Sequence, residues 1–331
     1  MLDELLALRT PVARIWAFSD LQQGDPATAE RYLDIALDDM QDLKLAPTAI
    51  WYLGDAVQGS DIDRVTAMTD MQVRKFRALK IPVNFIMGNH DLDCARLATP
   101  PVLPVWEAFR MVPGWKTTPH YTDFYFTETY GNVMVVFLSD HIAPDNRWFV
   151  THQMVRGPQP ETYDVPLEAY HELRETMAAW DGPVIIAGHC AFPGGARDAP
   201  EDGLLCRLLP LPDNVKLALH GHAHIGDWVW AKQRTFQRVG WIEWHDIPQV
   251  NVSSLDGLRG SQPRSVIFDL YEDGTFGVFF RDHYDRIWSD VYFSDSTAPR
   301  SRTQESTQMH ARRDSLSGTL RETWKKNNNV G

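Results

Sequence analysis

The chain has 331 residues, of which 44% are hydrophobic and 23% are charged, a balance that excludes disorder over most of its length. Its 32 basic and 44 acidic residues give a formal net charge of -12, so duplex nucleic acid is not an expected partner. Binding to nucleic acid phosphates relies on clustered Lys and Arg.

Membrane insertion and disulfide bonding are also not expected. No apolar run approaches the ~20 residues that span a bilayer. The segment 1–16 carries charges of both signs and has no uninterrupted apolar core, so we do not interpret it as a secretory signal. Three cysteines, Cys94, Cys190 and Cys206, are too few for a disulfide framework. We therefore predict a cytoplasmic protein.

Short apolar runs that end in small or polar residues predict buried strands along most of the chain. The runs are Arg14–Phe18, Ala49–Leu53, Val83–Met87, Val133–Leu138, Pro183–Ala187 and Val215–Leu219. Helical periodicity between them predicts helices at Pro26–Leu43, Ser60–Leu79 and Pro166–Trp180. Strands that alternate with helices favour an α/β layer architecture.

The last third of the chain has a different pattern. Strand-like segments occur at Val250–Ser253, Ser265–Tyr271, Thr275–Arg281 and Trp288–Phe293, and Glu272-Asp-Gly274 is a hairpin signal. These segments predict a mixed sheet or a two-sheet sandwich. We expect one main domain over residues 1–296, followed by a polar, basic tail over 297–331 that is extended or disordered.

Five polar clusters follow the predicted strands, at the edge where open α/β sheets bind ligands. They are Asp20-Leu-Gln22, Gly54-Asp55, Gly88-Asn-His-Asp91, Gly188-His189 and Gly221-His-Ala-His224. A single Gly-Asp pair is typical of a turn, and a single strand-end His is typical of a structural side chain. Together the clusters supply carboxylates, an amide and imidazoles, which suit manganese, iron or zinc.

This ordered set resembles the calcineurin-like metallophosphoesterase superfamily, whose pattern is D-x-H, G-D, G-N-H-D/E, a lone H and then G-H-x-H. The resemblance covers roughly residues 14–281. It implies an α/β fold of four layers, in which two mixed β-sheets are flanked by helices and a binuclear metal centre lies at the strand ends. It also implies a catalytic domain in which metal-bound hydroxide attacks phosphorus.

Residue roles follow from the resemblance at matching positions. Asp55 is expected to bridge two divalent ions, with Asp20, His224 and the residue at position 22 completing the first site. The second site would be formed by Asn89, His189 and His222. His90 corresponds to the general acid of the family, and Asp91 is expected to orient it.

Gln22 departs from the pattern, because the family has His at this position. An amide oxygen is a harder and weaker ligand than imidazole, so we expect manganese, with iron or zinc as alternatives. The alternative is an impaired site that holds one ion or none. A D-x-Q variant also resembles the manganese-dependent ADP-ribose/CDP-alcohol diphosphatase branch of the superfamily.

Other residues are expected around the centre. Candidate partners of the metal-binding histidines are His220, Asp140 and Asp227, and His141 is a weaker candidate ligand. Segments 92–120, 143–165 and 191–214 are rich in Pro and Gly and are predicted to be long loops that surround the site. The candidate aromatic and arginine side chains for contacts with a base, sugar or phosphate are Trp148, Phe149, Phe192, Trp228, Trp230, Trp241, Trp244, Arg147, Arg156 and Arg197. We interpret Cys190 as a small buried thiol.

The functional prediction is a dinuclear metal-dependent hydrolase of phosphodiesters or nucleoside-diphosphate-type small molecules. A phosphomonoesterase, including a phosphoprotein phosphatase, is the enzymatic alternative. A non-catalytic scaffold on a degenerate phosphoesterase fold is the alternative from another class. The sequence leaves the oligomeric state open.

Overall fold

The computed structural model describes residues 9–142, 148–149, 165, 167–190, 208–222, 224, 241–244, 247–256 and 263–294. For 148–149, 167, 241–244, 290 and 292–293 the description covers the backbone alone. The predicted tail at 297–331 lies outside these residues. Within the described residues no helix has the length and apolarity needed to cross a bilayer.

Two six-stranded mixed sheets form the centre of the structure. The first has the order β14-β13-β12-β1-β2-β3 and the second the order β10-β11-β9-β8-β5-β4, while β6 and β7 form a small hairpin. The strands are β1 Ala13–Phe18, β2 Ala49–Leu53, β3 Val83–Ile86, β4 Tyr125–Tyr130, β5 Val133–Leu138, β6 His141–Ile142, β7 Trp148–Phe149, β8 Val184–Gly188, β9 Val215–His220, β10 Trp241–Trp244, β11 Ile247–Asn251, β12 Arg264–Leu270, β13 Phe276–Asp282 and β14 Ile287–Phe293.

The strands that lead to the polar clusters run parallel to their neighbours. In the first sheet β1 pairs with β2, and β2 pairs with β3, in parallel. In the second sheet β5, β8, β9 and β11 form a parallel set in that order. Antiparallel strands complete both sheets, including β12 beside β1 and β4 beside β5. The carboxyl ends of each parallel set therefore share one sheet edge.

The helices are α1 Pro26–Leu43, α2 Ile62–Leu79, α3 Asn89–Leu92, α4 Pro104–Arg110 and α5 Leu167–Ala178. The Asp25 side chain caps α1 by accepting from the backbone N–H of Thr28 at 2.9 Å, and Pro26 occupies its first turn. Asp61 caps α2 by accepting from the backbone N–H of Arg64. The sequence predicted a start at Ser60, so the cap is one residue further along the chain.

The core is divided into three clusters, because successive side chains along each strand point to opposite faces of the sheet. On β1, Trp16 and Phe18 pack in a cluster with side chains of α1 and α2, whereas Ile15 and Ala17 pack in a cluster that joins the two sheets. On the far side of the second sheet, residues of β5, β8 and β9 pack against α5. The order helix, sheet, sheet, helix confirms the predicted four-layer fold.

Segment 92–120 differs from the loop that the sequence predicted. It contains a 3-10 helix at Asp93–Arg96 and the helix α4. Trp106 and Phe109 lie three residues apart on α4 and are almost fully buried against the first sheet. The proline and glycine content of the segment suggested a loop, but its aromatic residues stabilise a helix through tertiary packing. Most of 143–165 and 191–214 lies outside the described residues.

A buried ionic network joins α1 to β13. Arg281 donates to both carboxylate oxygens of Asp39, at 2.7 and 2.6 Å, and His283 Nδ1 lies 2.8 Å from the same carboxylate. Burial raises the pKa of Asp39, but hydrogen bonds from Arg281 and His283 outweigh it and lower the pKa to about 2. This carboxylate therefore stabilises the fold above about pH 4, and the contribution is lost as the pH falls toward 2.

We expect Arg281→Ala to lower the free energy of unfolding by about 3 kcal/mol, because it leaves the buried Asp39 carboxylate without its bidentate partner. Arg286→Ala is the matched control, since the Arg286–Asp42 pair is exposed, with 52% and 66% of the side-chain surfaces accessible. That control should change stability by less than about 1 kcal/mol. Urea denaturation at neutral pH measures both values. Equal losses in the two variants would contradict the role of the buried network.

Candidate metal centre

The polar clusters from both sheets meet at one place. Asp20, Asp55 and Asn89 follow β1, β2 and β3 of the first sheet, while His189 and His222 follow β8 and β9 of the second. Backbone contacts hold the two edges together, since the His222 N–H donates to Asp20 Oδ2 at 2.9 Å. The N–H of Gly221 donates to the His189 carbonyl at 2.8 Å. Residues distant in sequence are therefore brought within contact distance.

Four donor groups surround one part of this site. Asn89 Oδ1 lies 3.2 Å from His189 Nε2 and 3.1 Å from His222 Nδ1. Asp55 Oδ2 lies 3.2 Å from the same His189 nitrogen. Asp55 and His189 are fully buried, and Asn89 is 8% exposed. An amide oxygen, a carboxylate and two imidazoles thus face one another.

A second group of donors adjoins the first. Asp20 Oδ1 lies 3.0 Å from His224 Nε2, and the Gln22 side-chain amide contacts the same nitrogen. The potential ligand atoms of Asp20, Asp55 and His189 lie within 4.8 Å of one another, so the two groups are contiguous. All seven residues that the sequence predicted as metal ligands are therefore brought together.

The donor atoms fit divalent cations. Gln22 Oε1 is buried without a hydrogen-bond partner in the part of the chain that the structure describes, and the buried oxygens Asp20 Oδ1 and Asp55 Oδ2 face imidazole nitrogens of His224 and His189. Buried acceptors without partners are unfavourable, and a bound cation would compensate them. Carboxylate, amide and imidazole groups are the ligands expected for manganese, iron or zinc.

The backbone at the site is strained. Asp20, Asp55, His222 and His224 have φ values of 55°, 53°, 61° and 41°, in the left-handed region that L-residues seldom adopt. Each such residue costs roughly 1–3 kcal/mol, and such strain clusters at functional sites. Asp and His tolerate this region better than branched residues do, which accounts for the residue types found there.

Carboxylates and imidazoles offset one another's charge. Burial raises the pKa of Asp20, but the charge of His224 beside it outweighs burial and lowers that pKa overall. Burial lowers the pKa of His224, but the carboxylates of Asp20 and Asp256 raise it to about 9. For His222, burial and the charge of His189 lower the pKa to about 4. The site therefore already pairs its negative groups with positive ones.

Two of the histidines have partners that fix the orientation of the ring. His189 Nδ1 donates to the Leu53 carbonyl at 2.8 Å, which leaves Nε2 facing the ligand atoms. His224 Nδ1 lies 3.2 Å from Asp256 Oδ2, which leaves Nε2 facing Asp20. Such outer partners set the tautomer and raise the basicity of metal-binding histidines.

Asp256 was not among the predicted partners. It follows β11, which is parallel to β9. The rule that polar residues after parallel strands meet at one sheet edge would therefore have identified this residue too. Of the predicted partners, His220 Nδ1 lies 3.1 Å from the Gly221 carbonyl, and the charge of Asp140 contributes to the raised pKa of His189. His141 is part of β6 and lies beside Phe124. Asp227 lies outside the described residues.

His90 has a different partner from the one predicted. Its Nδ1 lies 3.0 Å from Asp93 Oδ2 and 3.0 Å from Gln58 Nε2. The Asp91 carboxylate instead accepts from the backbone N–H groups of Gly88 and Val57, at 2.9 and 3.2 Å. In the structure Asp91 therefore shapes the loop, and Asp93 orients the imidazole. The short helix α3 places position 93 one turn beyond His90, on the same face.

Several residues that the sequence suggested for substrate contacts cannot be placed. Arg147, Arg156, Arg197, Phe192, Trp228 and Trp230 lie outside the described residues, as do the side chains of Trp148, Phe149, Trp241 and Trp244.

The model of the calcineurin-like phosphoesterase family matches residues 13–226, about two thirds of the chain. The chain belongs to this family. Membership agrees with the enzyme class expected from the motifs, a phosphoesterase hydrolase. The family depends on a binuclear metal centre, in agreement with the candidate ligands described above. The match ends within the second sheet, before β10.

The search of solved structures matched purple acid phosphatase PPD1 from yellow lupin seeds, with 13% identity, TM-score 0.49, and coverage of 86% of this chain and 54% of that one. Sulfate thiohydrolase SoxB from Thermus thermophilus has 12% identity, TM-score 0.43, and coverage of 86% and 56%. Calcineurin-like phosphoesterase YfkN from Bacillus subtilis has 14% identity, TM-score 0.41, and coverage of 92% and 97%. The chain thus spans little more than half of the first two. Comparison with curated proteins found no match.

A methyl group at Gly88 is expected to disrupt metal binding by this phosphoesterase. It would lie 2.4 Å from Asp55 Oδ1 and 2.9 Å from His189 Cδ2, so Gly88→Ala must displace both side chains. Gly24→Ala is the control, because nothing lies within 4 Å of the added methyl. We expect Gly88→Ala to lose bound metal at dialysis equilibrium while Gly24→Ala retains it. Full metal content in a folded Gly88→Ala protein would contradict the geometry.

Proposed function

We propose that this phosphoesterase is a dinuclear metal-dependent hydrolase of small phosphodiester or nucleoside-diphosphate-type substrates. In the proposed centre Asp55 would bind both ions. Asp20, Gln22 and His224 would hold one of them, and Asn89, His189 and His222 would hold the other. The observation that carries the proposal is the position of Asp55 between the two donor groups, since its buried Oδ2 lies 3.2 Å from His189 Nε2 and a carboxylate oxygen lies within 4.8 Å of a ligand atom of Asp20.

Two divalent ions at such a centre supply positive charge that polarises a phosphoryl group and activates water near neutral pH. The protein's own contribution is to orient the phosphoryl group and to hold a proton for the leaving oxygen. Asp55 Oδ1 accepts from the His90 backbone N–H at 2.8 Å, so the position of His90 is tied to the proposed bridging ligand.

His90 is proposed as the general acid. Because its Nδ1 faces Asp93 and Gln58, Nε2 is the nitrogen that remains for a substrate, and 24% of the side-chain surface is accessible. Burial lowers the pKa of His90, but the hydrogen bond to Asp93 and the charge of Asp55 raise it above the usual value. A proton held on Nε2 is thus available for the leaving group near neutral pH.

The substrate class rests on Gln22. Its amide contacts His224 at the position where the family has a histidine, so the D-x-Q variation falls within the proposed centre. Two features support a phosphodiester or diphosphate substrate and manganese as the preferred metal. One is the resemblance of this motif to the ADP-ribose/CDP-alcohol diphosphatase branch. The other is the hard character of the amide oxygen.

The test is manganese-supported hydrolysis of bis(p-nitrophenyl) phosphate beside p-nitrophenyl phosphate. We expect faster diester cleavage. Because p-nitrophenolate leaves without a proton, His90→Ala is assayed on a diester with an alcohol leaving group, where kcat should fall by about 10²–10⁴ without the proton donor. His171→Ala, at an exposed position on α5, is the matched control and should retain wild-type activity.

The outcomes separate the alternatives. A preference for the monoester would favour a phosphomonoesterase, including a phosphoprotein phosphatase. Undiminished turnover by His90→Ala would remove this residue as the general acid. Absence of turnover in a protein that binds no metal would favour the non-catalytic scaffold.

Gln22→His restores the residue typical of the family at this position. We expect it to increase affinity for zinc relative to manganese at the first site, because imidazole is a softer ligand than an amide oxygen. Competitive titration of the apoprotein with the two metals measures the change. Unaltered affinities for both metals would show that position 22 is not a ligand.

A further inference from the structure

The thiol of Cys190 lies beside two of the proposed metal-binding histidines. Potential ligand atoms of Cys190, His189 and His222 lie within 4.8 Å of one another. Cys190 is 2% exposed, so the sulfur lies inside the site and not on the surface above it. The sequence pattern alone suggested only a small buried thiol, because nothing in it shows that His222 approaches from the neighbouring strand.

Backbone contacts explain the proximity. Cys190 follows β8, and His222 follows β9, which is parallel to β8. The Gly221 N–H donates to the His189 carbonyl at 2.8 Å and thereby holds the segment after β9 against the segment that contains the cysteine. The same contact thus places the segment that contains Cys190 beside the segment that contains His222.

The other described cysteine offers an internal comparison. Cys94 is also fully buried, but it packs in the cluster between the first sheet and its helices. Among the described residues, Cys94 belongs to none of the groups of three potential ligands, whereas Cys190 does. Burial of a small thiol therefore accounts for Cys94 and leaves the position of Cys190 beside two imidazoles unexplained.

We infer that Cys190 Sγ is a ligand of the ion held by Asn89, His189 and His222, which gives this half of the centre a preference for softer metals. The inference rests on the proposed metal centre. A sulfur–metal bond forms as the S–H bond breaks, and the proton passes to water, since a coordinated thiol is deprotonated. No oxidant or reductant is involved.

The two halves of the centre then differ in ligand chemistry. Asp20, Gln22 and His224 offer two oxygen ligands and one nitrogen, a set suited to manganese. Thiolate and imidazole ligands at the other half favour zinc or a metal of similar softness. The thiolate also adds negative charge beside Asn89, whose amide is neutral. We therefore expect two different ions, with the softer one beside Cys190.

Cobalt(II) is the probe, because a thiolate ligand gives it a sulfur-to-metal charge-transfer band in the near ultraviolet. Full-length apoprotein is titrated with cobalt, and bound metal is counted in the same samples. We expect the band to develop with one of two bound ions, to vanish in Cys190→Ser, and to persist in the Cys94→Ser/Cys206→Ser double variant. The double variant keeps Cys190 as its only thiol, so the test holds even if Cys190→Ser does not fold.

Two bound cobalt ions without the band would overturn the role of Cys190 and leave the proposed centre intact. Loss of the band in the double variant, or its retention in folded Cys190→Ser, would also overturn that role. If the folded wild-type protein binds no cobalt, the proposed function fails together with this inference.

Discussion

Two carboxylates, Asp20 and Asp55, are fully buried where the edges of the two sheets meet, and the rest of the site is arranged around their charge. Moving an ionised carboxylate out of water costs several kcal/mol unless partners compensate it. Here the partners are imidazoles that come mainly from the opposite sheet, such as His189 for Asp55 and His224 for Asp20. The first sheet thus provides the carboxylates, and the second provides the imidazoles that compensate their charge.

The sheet topology makes this compensation available. Parallel strands end at the same edge, and the apolar cluster between the sheets brings the two edges together. Close approach then depends on small residues, since a methyl group at Gly221 would lie 2.2 Å from Ser19 Oγ. Strained backbone at the ligand positions is tolerated because the buried core on both sides of each strand holds the chain in this conformation. The favourable packing of the core thus offsets the energetic cost of the strained backbone at the site.

The sequence was most informative where periodicity and composition agreed. The strand Ala49–Leu53 and the helix Pro26–Leu43 have the bounds that the pattern predicted. The strand Tyr125–Tyr130 was missed because its polar residues give no apolar run. It is stabilised by pairing with β5 and by packing of Phe126 and Tyr130 against the core between the sheets. Local pattern therefore predicts central strands better than edge strands.

Site residues divide in a similar way. The order of the motifs identified the seven proposed ligands, and the structure places them together. The partners of these residues were predicted less well, because a motif that identifies a ligand does not identify the group that orients it. Asp93 in place of Asp91 beside His90, and Asp256 beside His224, are the two cases. The proximity of Cys190 to His222 arises likewise from the pairing of two strands and not from spacing in the chain.

The central claim is that Asp55 joins two metal ions, and metal content tests it most directly. Elemental analysis should find two ions per chain in the reconstituted wild-type protein. The Asp55→Asn variant should lose both ions while its circular dichroism stays unchanged. Asp273→Asn, at an exposed hairpin position, is the control and should keep both. Two retained ions in folded Asp55→Asn would contradict the bridging role and, with it, the proposed centre.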